Sequence, residues 1–147
     1  MPGGTPLVRD YVRDEPHVCR FYEGSFRNQA SYVEKVEEVD SRFHRDARAR
    51  AVSMIGAHTP AAESRLANFV ECGGLFVTTG QQPGLFLGPL YSVYKALTAI
   101  RVASALEPIL KRPVLAAFWI ASEDHDWEEA DHAHLIDLEN QVVDVRL

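Results

Sequence analysis

Leu75-Phe76-Val77-Thr78-Thr79-Gly80-Gln81-Gln82-Pro83-Gly84-Leu85-Phe86-Leu87-Gly88-Pro89 is the stretch that decides the fold. Its first five residues form an apolar, β-branched run that reads as a short buried strand. The glycine-rich segment from Thr79 to Pro89 then turns the chain into a helix, with Pro89 preset for the first helical turn. Leu90, Val93, Tyr94, Leu97, Ile100, Ala103 and Leu106 give that helix an apolar face, and Tyr91, Lys95 and Thr98 lie on another side. Pro108 and Pro113 close off the region. Val114 to Ala121 is a continuous apolar run, the pattern of a parallel strand covered on both faces. Strand, helix and strand together make one βαβ unit of an α/β fold. A second polar cluster, Ser122-Glu123-Asp124-His125-Asp126, directly follows the second strand. In an open parallel sheet, the segments that follow neighbouring strands line one crevice, where ligands bind.

On the N-terminal side, residues 1 to about 27 carry several prolines without clean periodicity and read as an extended or loop-rich lead-in. Asn28 to Met54 has helical periodicity, with Tyr32, Val33, Val36, Val39 and Phe43 in one apolar stripe expected to pack on the domain. Thr59 suits the N-cap of another helix, with Pro60 at its first position; it runs to about Glu71 and ends at Gly73-Gly74. On the C-terminal side, residues 126 to 131 suit a turn or short helix. His132 to Leu138 and Val142 to Leu147 suit two strands joined at Glu139-Asn140. The expected organisation is residues 1–74 as a lead-in and helices packing on the core, and residues 75–147 as the first part of the core. The chain stops at Leu147 inside an apparent strand, as expected of a fragment.

The 147 residues are 46% apolar and 24% charged, ordinary for a soluble globular domain with a real core. No apolar run approaches the roughly 20 residues that span a bilayer. Met1-Pro2-Gly3-Gly4-Thr5 lacks the basic and apolar regions of a signal peptide, so no membrane partner is expected. Cys19 and Cys72 form neither a metal-ligand spacing nor a disulfide framework, which suits a reduced, cytoplasmic setting. The net charge of −6, from 21 acidic and 15 basic residues, argues against a nucleic-acid partner. His44, Arg45, Arg48 and Arg50 read as a solvated helix face.

Each cluster supports a chemistry. Gly80, Gly84 and Gly88 allow positive φ and close approach of backbone to a ligand, and Gln81 and Gln82 offer donors and acceptors to orient it. The helix N-terminus that follows favours an anion. Neither a Gly-Lys-Ser/Thr phosphate loop nor the Gly-x-Gly-x-x-Gly fingerprint is present. A ligand cradle and a plain tight turn fit this spacing equally. Lys95, one turn from Tyr91, suits a role offsetting phosphate or carboxylate charge; an exposed Lys packed along Tyr fits as well. In the second cluster, His125 beside Asp124 and Asp126 suits a general base with two orienting carboxylates, and Ser122 and Glu123 join them as binding groups. Glu128, Glu129 and Asp131 read as solvated loop and helix-start residues. His132 and His134 alternate along a strand and point to one face, more a polar sheet face than a metal site. Trp119 reads as core; Trp127 either shields the site or caps the sheet.

Thr79 to Ala96 (TGQQPGLFLGPLYSVYKA) and Phe118 to Asp126 (FWIASEDHD) together resemble the N-terminal signature of the bacillithiol biosynthesis cysteine-adding enzymes, the BshC family. The resemblance is strong over about Leu75 to His134 and extends more weakly to Phe21-Tyr22. It implies a Rossmann-like core, present here in part, and in the full enzyme a helical coiled coil that forms a homodimer. It also implies the last step of bacillithiol synthesis, in which the amine of glucosaminyl malate is joined to the carboxyl of cysteine. Cysteine and glucosaminyl malate are the small-molecule partners so implied. An adenylate made from ATP is the natural activated carboxyl, and no metal is expected. Two other readings remain. One is a metal-dependent hydrolase or transferase using His125, Asp126, His132 and His134; the other is a non-catalytic ligand-binding fragment.

Overall fold

A computed structural model describes residues 4–57, 59–123 and 126–147, with the Glu129 side chain outside that description. Two compact units divide the chain, one through Ala47 and one from Arg48 to Leu147.

The first unit is helical where a lead-in loop was expected. Helices α1 (Pro6–Val12) and α2 (Pro16–Cys19) each begin at a proline, and the Thr5 side chain caps α1 by accepting from the Val8 N–H. The prolines that looked like breakers are therefore starters, because the missing N–H falls where a helix has no partner for it. The periodic stretch from Asn28 to Met54 is two helices, α3 (Gln29–Arg42) and α4 (Arg45–Ser53), interrupted at Phe43 with φ −118° and ψ 87°. Ser41 bonds back to the Glu38 carbonyl at 2.7 Å just before the break, a local competitor to helix continuation. No residue of α3 is buried, and Val33 and Phe43 of the expected stripe are exposed.

In the second unit, Thr59 caps α5 (Pro60–Glu71) by accepting from the Ala62 N–H at 3.2 Å, as its sequence predicts. Strand β1 (Leu75–Gln81) runs two residues further than expected, through Gly80 and Gln81. Helix α6 (Leu90–Leu110) follows, then strand β2 (Val114–Ile120). The two strands pair in parallel, with Leu75 opposite Val114 and Gln81 opposite Ile120. This is the βαβ unit of a Rossmann-like α/β fold. Strand alternation puts Val77, Thr79 and Gln81 on one face of the sheet and Phe76, Thr78 and Gly80 on the other. Phe69 of α5 stacks on Phe76 at 4.2 Å between centroids and is 2% exposed, so α5 covers the second face. Arg48, expected in a solvated row, is buried and donates from Nε to the Gly74 carbonyl at 2.8 Å. It satisfies a carbonyl at the entry to β1 that would otherwise be buried without a partner.

Helix α6 buries Ala103 of the expected face but corrects much of the rest. Its buried residues are Ser92, Ala99 and Ala103, whereas Leu90, Tyr94, Leu97 and Ile100 are exposed. The helix is apolar nearly all round, so periodicity alone did not choose a stripe. Small side chains let it approach the sheet closely. Pro89 sits one place earlier than expected, as the N-cap, and Pro108 lies inside the last turns without ending the helix. The C-terminal half of β2 is not covered as a buried parallel strand would be: Phe118 and Ile120 are exposed, and Trp119, expected in the core, is 70% exposed.

Residues 127–130 form the short helix α7 (Trp127–Ala130), and strands β3 (His132–Ile136) and β4 (Val142–Arg146) form an antiparallel hairpin. Asp137 sets its turn, accepting from the Glu139 and Gln141 N–H groups at 2.9 and 2.8 Å, with Asn140 at φ 59°. Asp131, expected to be solvated, is buried beside this hairpin.

Candidate functional site

The site is built where β1 gives way to α6. Gly80 is the last glycine of the strand proper, paired with Trp119. A Cβ there would lie 2.6 Å from the Trp119 carbonyl oxygen, so only glycine lets the two strands approach at this point. The loop then folds tightly, and a Cβ on Gly84 would meet the Gly88 Cα at 2.8 Å. Between them, Phe86 and Leu87 take φ values of 50° and 76° and are 61% and 75% exposed. Left-handed backbone at two bulky residues costs roughly 1–2 kcal/mol each. The segment is thus strained, and it holds two apolar side chains in solvent.

A cavity of about 440 Å³ lies beneath this loop. Gln81, Gln82 and Gly84 line it from the loop, Ser92 and Val93 from α6, and Phe118 and Ile120 from β2. A larger hollow of about 600 Å³ is lined by Tyr11, Phe26, Lys35 and neighbours in the first unit. The smaller one matters more for ligand chemistry, because it stands at the C-terminal ends of parallel strands and at a helix N-terminus.

Gln81 is oriented by two partners. Its Oε1 accepts from Lys95 Nζ at 2.8 Å, and its Nε2 donates to the Tyr91 hydroxyl at 2.9 Å. Lysine only donates, which fixes the amide with its oxygen toward Lys95. Lys95 also donates to the Gly80 carbonyl at 3.2 Å and sits over the Tyr91 ring, 5.2 Å from its centroid. Tyr91, Lys95, Gly80 and Gln81 therefore come together, with Lys95 packed along Tyr91, one of the two arrangements the sequence left open. The ammonium, however, is engaged with the strand end rather than free.

Ser92 escaped the sequence reading. It is 6% exposed, lines the cavity, and its Oγ is buried with no hydrogen-bond partner among the described residues. Its backbone N–H donates to the Pro89 carbonyl at 2.8 Å, within the first turn of α6. A buried hydroxyl without a partner costs about 1–3 kcal/mol, and here it belongs to a residue in the wall of a cavity large enough for a ligand. The signal available in the sequence was a lone serine among apolar residues at the start of a helix, which a solvated or capping role explains equally well.

Comparison with known proteins fixes the family. The whole chain, residues 1–147, matches the family described as "Bacillithiol biosynthesis BshC, N-terminal Rossmann-like domain". This chain belongs to the BshC family. Three relatives share the name "Putative cysteine ligase BshC". That of Heliobacterium modesticaldum is 36% identical over 93% of this chain and 27% of its own length. Those of Solibacter usitatus and Bacillus licheniformis are 33% and 31% identical, over 93% and 90% of this chain and 25% of their own lengths. The chain thus spans about a quarter of the relatives it matches.

The second polar cluster is described in part. Ser122 and Glu123 are exposed after β2, and the Ser122 N–H donates to the Ile120 carbonyl at 2.9 Å. Asp126 is exposed and its carbonyl accepts from the Ala130 N–H at 3.2 Å, starting α7. Asp124 and His125 lie outside the described residues. None of the described members of this cluster lines the 440 Å³ cavity. Trp127 is 64% exposed. No described helix is long and apolar enough to cross a membrane.

Proposed function

We propose that this chain forms the N-terminal wall of the active site in a cytoplasmic cysteine ligase of bacillithiol biosynthesis. The reaction joins the carboxyl of cysteine to the amine of glucosaminyl malate as an amide. One observation supports it above the rest: the cavity at the parallel strand ends combines a fixed carboxamide, a helix N-terminus and an unpartnered buried hydroxyl. That set suits a carboxylate or phosphate oxygen. The N–H groups at the very start of a helix, before the Ser92 N–H that bonds Pro89 here, lack partners within the helix and draw an anion. The Ser92 hydroxyl gains the bond it lacks.

Amide formation needs an activated carboxyl, which ATP supplies as an adenylate in this reading. The Ser92 hydroxyl, the first turn of α6 and the Gly84–Gly88 loop would hold an anionic group of that activated species. Gln81, set by Lys95 and Tyr91, and Gln82 orient the polar substrate. Across the strand ends, Asp124 and Asp126 hold the attacking ammonium, His125 removes its proton, and Ser122 and Glu123 complete the binding of the amine substrate. The whole protein is a homodimer in this reading, with no nucleic-acid or membrane partner.

The test is a chimera in which this chain replaces the matching quarter of a full-length relative. Given cysteine, glucosaminyl malate and ATP, it is expected to form the amide product, followed by mass spectrometry. Ser92→Ala and Gln81→Ala are each expected to lower kcat/KM at least tenfold, about 1.4 kcal/mol of transition-state binding. Wild-type turnover in both variants would overturn the site.

A further inference from the structure

Apart from the cavity, the β3–β4 hairpin carries a second chemical grouping. His132 and His134 sit two apart on β3, on one face of the strand. Each ring is held through Nδ1 by a different carboxylate. His132 Nδ1 contacts Asp131 Oδ1 at 2.9 Å, and His134 Nδ1 contacts Asp144 Oδ1 across the hairpin, where Asp144 is the register partner of His134. Asp131 is itself anchored: it is 6% exposed, lies 3.8 Å from Arg146 Nε, and accepts at its carbonyl from the Leu147 N–H at 2.9 Å.

A carboxylate on Nδ1 fixes the tautomer with the proton at Nδ1 and the lone pair at Nε2. It is the arrangement that orients and strengthens metal-ligating imidazoles. The two rings stand edge to face with centroids 5.3 Å apart. A metal about 2.0–2.1 Å from each Nε2, at a tetrahedral angle, spaces two imidazole centroids by roughly 5 Å. Among the described residues no group of three or more His, Cys, Asp or Glu is arranged to hold a metal, so the described residues supply two ligands here and leave the other positions to water. Imidazole pairs favour zinc, copper and nickel over magnesium or calcium.

We propose that His132 and His134 form a two-imidazole site for a divalent late transition metal of the zinc class, with Asp131 and Asp144 as positioning carboxylates. The site is separate from the cavity at the strand ends. Its hairpin does approach the loop above that cavity, since β3 lies beside the Leu85–Leu87 turn. A bound metal therefore stiffens the element next to the strained loop.

The experiment titrates zinc chloride into the 147-residue chain in a chelator-free, non-coordinating buffer, read by calorimetry and by the ¹⁵N resonances of the imidazole rings. One zinc per chain is expected, with the Nε2 signals of His132 and His134 shifting together. His132→Gln and His134→Gln are each expected to weaken binding at least tenfold, Asp144→Asn by about 10–100-fold, and His17→Gln not at all. Circular dichroism checks each variant's fold. Unmoved Nε2 signals of His132 and His134 in the wild-type chain overturn the proposal, whatever the variants do. So does undiminished affinity in a folded His134→Gln.

Discussion

The two compact units are held by different physics. The first, through Ala47, contains one fully buried apolar side chain among the described residues, Val18, and a surface network around Lys35. Lys35 Nζ contacts Glu23 at 2.8 Å and also Glu38, and Arg42 contacts Glu38 at 2.9 Å. Tyr11 adds ring contacts to Tyr22 and Phe26 at 4.6 and 5.3 Å. The second unit buries Phe69, Ala99, Ala103 and Val114 and links its elements by backbone pairing. Exposed ion pairs contribute little each and are screened by salt, whereas burial is not. A site that must hold a carboxamide and a hydroxyl to within a fraction of an ångström belongs on the second kind of scaffold.

The strongest way to break this comparison is Phe69→Ala. It empties the space against Phe76 and is expected to cost about 3–5 kcal/mol. Its counterpart Phe26→Ala, at a ring 42% exposed, is expected to cost about 1 kcal/mol or less. Hydrogen exchange read separately over the two units checks both. Equal losses would mean that burial does not distinguish them.

Gly80→Ala comes next. The added methyl meets the Trp119 carbonyl oxygen at 2.6 Å, and the strands must part, for about 1–3 kcal/mol. Urea unfolding gives the cost. A neutral result would show that the β1–β2 pair gives way easily, and that the site's frame is softer than argued.

The smallest effect is expected at Lys35, in the first unit. Its hydrogen bond to Glu23, and then that to Glu38, raise the ammonium above its ordinary value of 10.5. The hydrogen bond from Lys35 lowers the Glu38 carboxyl below its ordinary 4.5. The raised ammonium contributes stability that is fully present below pH 10.5 and lost as pH rises through its folded value. The lowered carboxyl contributes stability that is present above pH 4.5 and lost as pH falls through its folded value. Lys35→Met is therefore expected to flatten the stability profile of the first unit at both extremes. The difference should shrink in high salt, because Lys35 is exposed and Glu38 only partly covered, so ions reach the pair. Thermal midpoints across pH, at low and high salt, check it; salt-independent loss would assign Lys35 a packing role instead.

Much of this was legible in local chemistry. Thr59-Pro60 started a helix, Leu75 to Thr79 and Val114 to Ile120 were strands, and the hairpin turned at Glu139-Asn140, because caps, β-branched runs and turn residues act within a few positions of themselves. The pairing of Tyr91 with Lys95 was legible too, since residues one turn apart on a helix meet, but their meeting with Gln81 was not. What stayed hidden depended on distant partners. Arg48 looked solvated until Gly74, 26 residues on, supplied its carbonyl. Asp131 looked solvated until the hairpin folded over it. Ser92 looked unremarkable until the loop and β2 enclosed it.

By itself, then, the sequence determined the order of elements from Pro60 onward, the parallel βαβ unit and the family, since each rests on short-range patterns and two long motifs. Only the tertiary structure decided which stripe of α6 is buried, which polar groups are enclosed and which lack a partner. Burial is a property of everything that surrounds a residue, and a helix that is apolar nearly all round carries no local mark of the side it will press against a sheet.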